Sequence, residues 1–285
     1  MRNVLKAETL ERKFPLLAVE HGCIVSKDAD LTVAFEVLLP EIYTVTGDEY
    51  EAIHSAWVKA IRVLPDYSVV CKQDWFVEET YRPDFDRDGQ SFLAKSYERH
   101  FNERPYLGHR CYLYLTKTTR ERSRRRSDFS TLCRGHILPR EIADRDTAAR
   151  FLEAVEQFER IMNDSGKVSL RRMPPEEITG TSERPGLVER YFSLSADDRS
   201  AVLEDICLEP GRMRIGDKQL CLHTLSAADD LPGRVETDMR YGRLSTDRSD
   251  WRLSFAAPVG LLLSCNHIYS QYVFIDDARE ILQDM

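Results

Sequence analysis

The chain has 285 residues, 42% hydrophobic and 31% charged, with a net charge of -8 and a mean hydropathy of -0.44. That supplies a core for one large domain or two of about 100–150 residues. The acidic balance argues against a general nucleic-acid binder, and no apolar run approaches the ~20 residues of a membrane-crossing helix.

In chain order, Leu16–Val19 and Cys23–Val25 are short apolar runs separated by His21-Gly22, a hairpin signal. Leu31–Leu39 alternates, with Leu31, Val33, Phe35 and Val37 on one face, so a half-buried strand is expected. Thr46-Gly-Asp-Glu49 has the spacing of a capping box. The helix behind it predicts a buried face of Tyr50, Ile53, Trp57, Ala60, Ile61 and Leu64, ended by Pro65-Asp66. A strand over 67–77, a helix over 92–101 and a strand over 111–115 follow.

The segment from Lys117 to Arg134 breaks this regularity. Arg120, Arg122, Arg124, Arg125 and Arg126 fall within seven residues, with no apolar residue among them. An exposed connection is the first reading. Five arginines also suit phosphates, through salt-sensitive contacts, or anionic lipid head groups, at about 1 kcal/mol per basic residue, or a protein partner. The absence of interleaved aromatics weakens the nucleic-acid reading.

Beyond it, Asp146 is the expected N-cap of a helix whose stripe is Ala148, Phe151, Leu152, Val155, Phe158 and Met162, stopped by Gly166. A strand over 168–170, a short helix around 187–192, and a hairpin of 212–215 with 219–223 come next. Pro258 opens a short helix through Leu263, and 269–275 is a strand. The fold class is α+β: two lobes, each a mostly antiparallel sheet with helices on one face. The boundaries are 1–118 for the first lobe, 119–144 for the basic connection and 145–285 for the second lobe.

No catalytic, metal or cofactor site emerges. Gly180–Gly186 has two glycines but lacks the lysine and hydroxyl of a phosphate loop. Cys133 and His136 lack the partner pair of a zinc site. Cys265 and His267 are close in sequence, but Cys265 reads as a packed thiol at a strand start. Asp84, Asp86, Asp88 and Gly89 imitate a calcium loop, yet Lys95 stands where the closing glutamate belongs. Glu78-Glu79 and Asp229-Asp230 read as solvated. The seven cysteines, Cys23, Cys71, Cys111, Cys133, Cys207, Cys221 and Cys265, form no C-x-x-C pair. They suggest a reducing, cytoplasmic setting.

Several segments taken together are specific. They are Lys13–Val19, Gly22–Asp28, Glu49–Trp57, Leu93–Ser96, Arg99–Pro105, Leu115–Thr119, Glu153–Arg160 and the block Leu244–Asp277. Over nearly its whole length the chain resembles the N-terminal region of the TraG proteins of conjugative transposons. These are type IV secretion ATPases related to the VirB-type family. The resemblance implies a longer polypeptide continuing into a P-loop ATPase domain, where ATP and magnesium would bind and a hexamer would form. By the same resemblance, this region would be a non-enzymatic docking and assembly domain at the cytoplasmic face of the inner membrane. It would touch secretion-channel proteins and the chain's own ATPase domain; large apolar surface left exposed by truncation, with no ATP hydrolysis, would support that reading. The alternative is a nucleic-acid-binding module acting through Arg120–Arg126.

Overall fold

The computed structural model describes residues 14–28, 30–40, 46–81, 91–118, 145–193, 204–224, 239–240, 242, 245–248, 252–253 and 263–277. The strands of the first half are β1 (Leu16–Glu20), β2 (Cys23–Ser26), β3 (Leu31–Leu38), β4 (Ser68–Glu79) and β5 (Tyr106–Lys117). Helices α1 (Gly47–Ile61) and α2 (Phe92–Asn102) flank β4 in sequence. The second half runs α3 (Arg145–Asp164), β6 (Ser169–Arg172), α4 (Pro175–Thr179) and α5 (Leu187–Ser193). Strands β7 (Ile206–Glu209), β8 (Arg212–Ile215), β9 (Lys218–Leu220), β10 (Met239–Arg240), β11 (Arg252–Leu253) and β12 (His267–Ile275) complete it. The expected α+β class is what the chain adopts.

Seven strands form one sheet in the order β1-β2-β3-β5-β4-β12, with β6 also on β3. The β1–β2 hairpin turns where sequence places it, at His21 and Gly22, both with positive φ. β3 pairs antiparallel with β5 from Leu31↔Lys117 to Val37↔Cys111. Its other edge is shared. β2 takes residues 31–32, and β6 takes 35–38. β12 closes the far side of β4: Tyr67 N–H donates to the Ile275 carbonyl at 2.6 Å, and the Gln73 amide meets the Ser270 hydroxyl at 3.2 Å. Residue numbers rise along β4 as they fall along β12, so this pair is antiparallel too.

The chain divides into two compact units. One holds 1–74, 110–179 and 270–285; the other holds 75–109 and 180–269. These are not the contiguous lobes expected from sequence. α3 and β6, expected in the second lobe, build the first unit: Phe35 pairs with Arg172 and Val37 with Leu170, while α3 supplies much of the core. The segment 119–144 lies outside the described residues.

In the first unit, Val33, Phe35 and Val37 of β3 and Cys111, Leu113 and Leu115 of β5 face helices α1 and α3. Phe151, Val155, Phe158 and Met162, spaced i, i+4, i+7, i+11, are fully buried and form the α3 stripe that periodicity predicts. Trp57 of α1 meets Phe158 edge to face at 6.0 Å. Ala34, on the opposite sheet face, is buried as well, so β3 is covered on both sides rather than half-buried.

Local chemistry fixes the helix ends. Thr46 and Glu49 form the expected capping box, and Lys167 pairs with Glu49, which ties the start of α1 to the turn after α3. The Asn163 amide donates to the Leu170 carbonyl at 3.3 Å, and its oxygen accepts from Leu170 N–H at 2.7 Å. One side chain thus occupies the outer edge of β6 as a neighbouring strand would. Gly166 ends α3 with φ +65. Three local expectations shift. Tyr50 is 44% exposed, and Ala56 takes the buried place. Asp146 lies inside the first turn of α3 and is not its cap. α1 stops at Ile61, ahead of Pro65. The helix expected from Pro258 lies outside the described residues.

Replacing Phe158 with Ala removes a fully buried ring, so thermal or denaturant unfolding should show a loss of about 3–5 kcal/mol. The Glu49 carboxyl is held down to about 2, first by Lys167 and then by Thr46. Its contribution to stability is therefore present above about 4.5 and lost as pH falls through about 2. Acid titrations of Glu49→Gln should show a shallower loss of melting temperature across that window than the parent; identical slopes would remove Lys167–Glu49 as a contributor.

Candidate interaction surface

The second unit contains a helix that buries nothing. Ser91 starts α2 by accepting from Ala94 N–H at 3.2 Å, and Arg99 and His100 stand in its last turn, where cations suit the helix dipole. Leu93, Tyr97 and Phe101 recur every four residues and form one stripe, with Phe92 beside it. In a monomeric domain such a stripe normally turns inward. Here Phe92 is 84% exposed, Leu93 78%, Tyr97 67% and Phe101 43%, and no residue of α2 is buried. The rings organise one another: Tyr97 and Phe101 meet at 4.7 Å edge to face. Tyr81 abuts Phe101 at 6.4 Å, and the Asn102 amide donates to the Tyr81 carbonyl at 2.8 Å. The C-terminal end of α2 is thus anchored while its aromatic stripe faces solvent.

A second amphipathic element lies in the same unit. Strands β7, β8 and β9 form an antiparallel meander separate from the large sheet. Ile206 stands opposite Ile215, Leu208 opposite Met213, and Met213 opposite Leu220. Alternation therefore gathers these apolar side chains on one face. The other face carries Cys207 opposite Arg214, Glu209 opposite Arg212 and Arg214 opposite Gln219. Leu208 is 67% exposed, Leu222 just beyond β9 is 81% exposed and Ile206 37%. Lys218, in register with Ile215 and so on the same face, donates to the Ser193 carbonyl at 2.9 Å.

The sequence-predicted contact residues Arg120, Arg122, Arg124, Arg125 and Arg126 lie outside the described residues, as do Cys133, His136, Asp84, Asp86, Asp88, Asp229 and Asp230. The Gly180–Gly186 loop keeps its amides for itself. Thr181 N–H donates to the Arg184 carbonyl at 2.8 Å, and Gly186 N–H donates to the Glu189 carboxylate at 2.8 Å. A carboxylate thus sits where a phosphate would have to sit. Cys265 is exposed rather than packed, because β12 starts two residues later. His267 Nδ1–H donates to the Cys265 carbonyl at 2.8 Å, so the ring addresses backbone. The same ring stacks on Phe76 at 4.7 Å, and His109 stacks on Phe76 at 4.6 Å, a ladder across three neighbouring strands. Among the described residues no group of three or more His, Cys, Asp or Glu is placed to hold a metal. Nor is any helix among them long and apolar enough to cross a membrane.

Buried thiols are chemically quiet. Burial pushes the Cys111 thiol up to about 12, with the neighbouring Asp74 carboxylate adding to the effect. Burial also raises Cys23 and Cys71. A protonated thiol is a poor nucleophile. Peptide mapping after alkylation of the native chain should find Cys207, Cys221 and Cys265 modified first, with Cys23, Cys71 and Cys111 reacting only on unfolding. Rapid native labelling of Cys111 would contradict its burial.

Neither apolar face was legible as a face from sequence. The helix over 92–101 was expected, but its stripe reads like any core stripe until nothing packs on it. β7 was not expected at all; its signal is the alternation Ile206, Leu208 echoed by Met213, Ile215 and Leu220, Leu222.

No curated protein matches the chain. Residues 3–55 match the family described as "Domain of unknown function, B. Theta Gene description (DUF3875)", a stretch that covers β1–β3 and the first turns of α1 and less than half of the chain.

Proposed function

We propose that this chain is the N-terminal docking and assembly domain of a conjugation ATPase, holding the motor against channel proteins of a type IV secretion system. The observation that carries the reading is α2, a capped and anchored helix whose aromatic stripe meets solvent. An exposed stripe of that kind marks a protein–protein surface, and Tyr and Phe are enriched in such interfaces. The segments that resemble the TraG family supply the identity of the machinery. In this reading ATP and magnesium bind in the following P-loop domain and a hexamer forms there. This chain carries no catalytic step; it transmits the motor's movement to channel components at the cytoplasmic face of the inner membrane.

Flotation of the purified chain with inner-membrane vesicles tests the reading. Recovery at the top of the gradient only when channel proteins are present is the expected result. Tyr97→Asp should reduce it at least tenfold while leaving the circular dichroism melt unchanged. Flotation with plain anionic vesicles, abolished by changing the five arginines at 120–126 to Ala, would replace protein docking with lipid attraction. No flotation, combined with salt-sensitive DNA binding lost in the same arginine variant, would move the chain to the nucleic-acid class.

A further inference from the structure

We infer that Tyr67 is a strained latch that holds the ends of β5 and β12 together, with Lys117 as its catch. The latch stands on geometry within the first unit. Only its use, to pass movement between the two strand ends, rests on the docking reading above.

The starting observation is backbone strain. Tyr67 has a φ of 58°, in the left-handed region that a bulky side chain enters at a cost. His21, which shares this property, sits in the tight hairpin turn beside Gly22, where positive φ suits the turn. Tyr67 instead stands in the connection between α1 and β4, directly before Ser68 opens β4. Ser68 is itself buried, and its hydroxyl has no partner among the described residues. Costs of this kind persist only where the surroundings impose them.

The imposing contacts come from two strand ends. Tyr67 N–H donates to the carbonyl of Ile275, the last residue of β12, at 2.6 Å. The Tyr67 carbonyl accepts from Thr118 N–H, just past β5, at 3.0 Å. Lys117, the last residue of β5, closes the arrangement. Its ammonium donates to the carbonyls of Asp66 at 2.7 Å, Thr118 at 3.2 Å and Tyr67 at 3.5 Å. It also lies 5.3 Å from the centroid of the Tyr67 ring, within cation–π range.

The Asp66 and Tyr67 carbonyls belong to the two peptide planes that flank the Tyr67 Cα. An extended pleat turns successive carbonyls apart, so one ammonium gathers both only when Tyr67 is turned. Two dihedrals alone separate the plane bonded to Ile275 from the plane bonded to Thr118. Turning Tyr67 to negative φ swings one plane against the other and breaks at least one of those bonds. The strained state therefore joins the two strand ends, and the relaxed state parts them. Past Thr118 the sequence enters the arginine run of 120–126, so the latch fixes the root of that run beside the exit of β12.

Hydrogen exchange of the full native chain tests this, with each rate corrected for its intrinsic value. Lys117→Met should speed exchange of the residue-67 amide about tenfold, the scale of the left-handed cost, while the Leu113 amide in the sheet centre is unchanged. Glycine takes the left-handed conformation freely. In a Tyr67→Gly background the same Lys117→Met change should therefore speed exchange less than about threefold. Equal acceleration in both backgrounds overturns the latch, because Lys117 would then not be holding strain. So does a residue-67 amide that stays protected in Lys117→Met, or an acceleration that Leu113 shares in full. None of these readouts involves vesicles or channel proteins. A failed flotation thus removes the use of the latch and not the latch, and a failed exchange test leaves docking standing.

Discussion

Strand β3 is the constraint on which the first unit depends. One edge is committed to β5 over seven residue pairs. The other edge is divided between β2 near Leu31 and β6 near Phe35–Leu38. Both faces are closed, with Val33 and Phe35 wholly buried on one side and Ala34 almost so on the other. A strand filled on four sides has no freedom of register, because a one-residue slip would exchange the two faces. The surrounding polar contacts follow that register. Arg171, directly opposite Glu36, forks onto Glu36 at 2.6 Å and onto Glu177 of α4 at 2.8 Å, so an exposed ion network reports the same alignment as the core.

What could be read from sequence was whatever local chemistry decides. The capping box at Thr46 and Glu49, the stripe of Phe151, Val155 and Phe158, and the glycine stop at Gly166 each depend on a few neighbouring residues. The His21-Gly22 hairpin is of the same kind. What could not be read was pairing at long range. The basic run near Arg120 marks a change of composition, and composition says nothing about β6 returning to β3. Asp146 looked like a cap because Asp favours both the N-cap and the first turn, and a difference of two residues separates the roles. Cys265 read as a packed thiol at a strand start, but a thiol's burial depends on the strand alongside it. The arginines singled out for contact lie where the structure describes nothing. The surface that does emerge was hidden because an apolar stripe in sequence is silent about what it packs against.

The second unit departs from the economy of the first. Phe92, Leu93, Leu208 and Leu222 leave most of their surface in solvent, and a side chain of that size left exposed forgoes about 1.5–3 kcal/mol of burial free energy. Association costs on the order of 4–15 kcal/mol in lost translational and rotational freedom, before side-chain ordering and polar desolvation, so exposed area alone fixes no affinity. The two elements are also held differently. α2 is tied at its C-terminal end through Asn102 and Tyr81, while the meander is tied through Lys218 to Ser193. Each is held by polar contacts, while Phe92, Leu93 and Tyr97 of the helix and Leu208 of the meander stay exposed.

β12 imposes an order in time. Glu78 near the end of β4 donates its N–H to the Asn266 side chain, 188 residues later in the chain. At a synthesis rate of about 5–20 residues per second, β4 waits on the order of 10–40 s on the ribosome before its outer neighbour exists. During that interval Val70, Gln73 and Trp75 belong to a strand with one bare edge, the condition under which nascent chains pair with the wrong strand. The closing strand is therefore also a clock: until it emerges the sheet is unfinished, and a nascent chain released earlier would leave the ribosome carrying an open template.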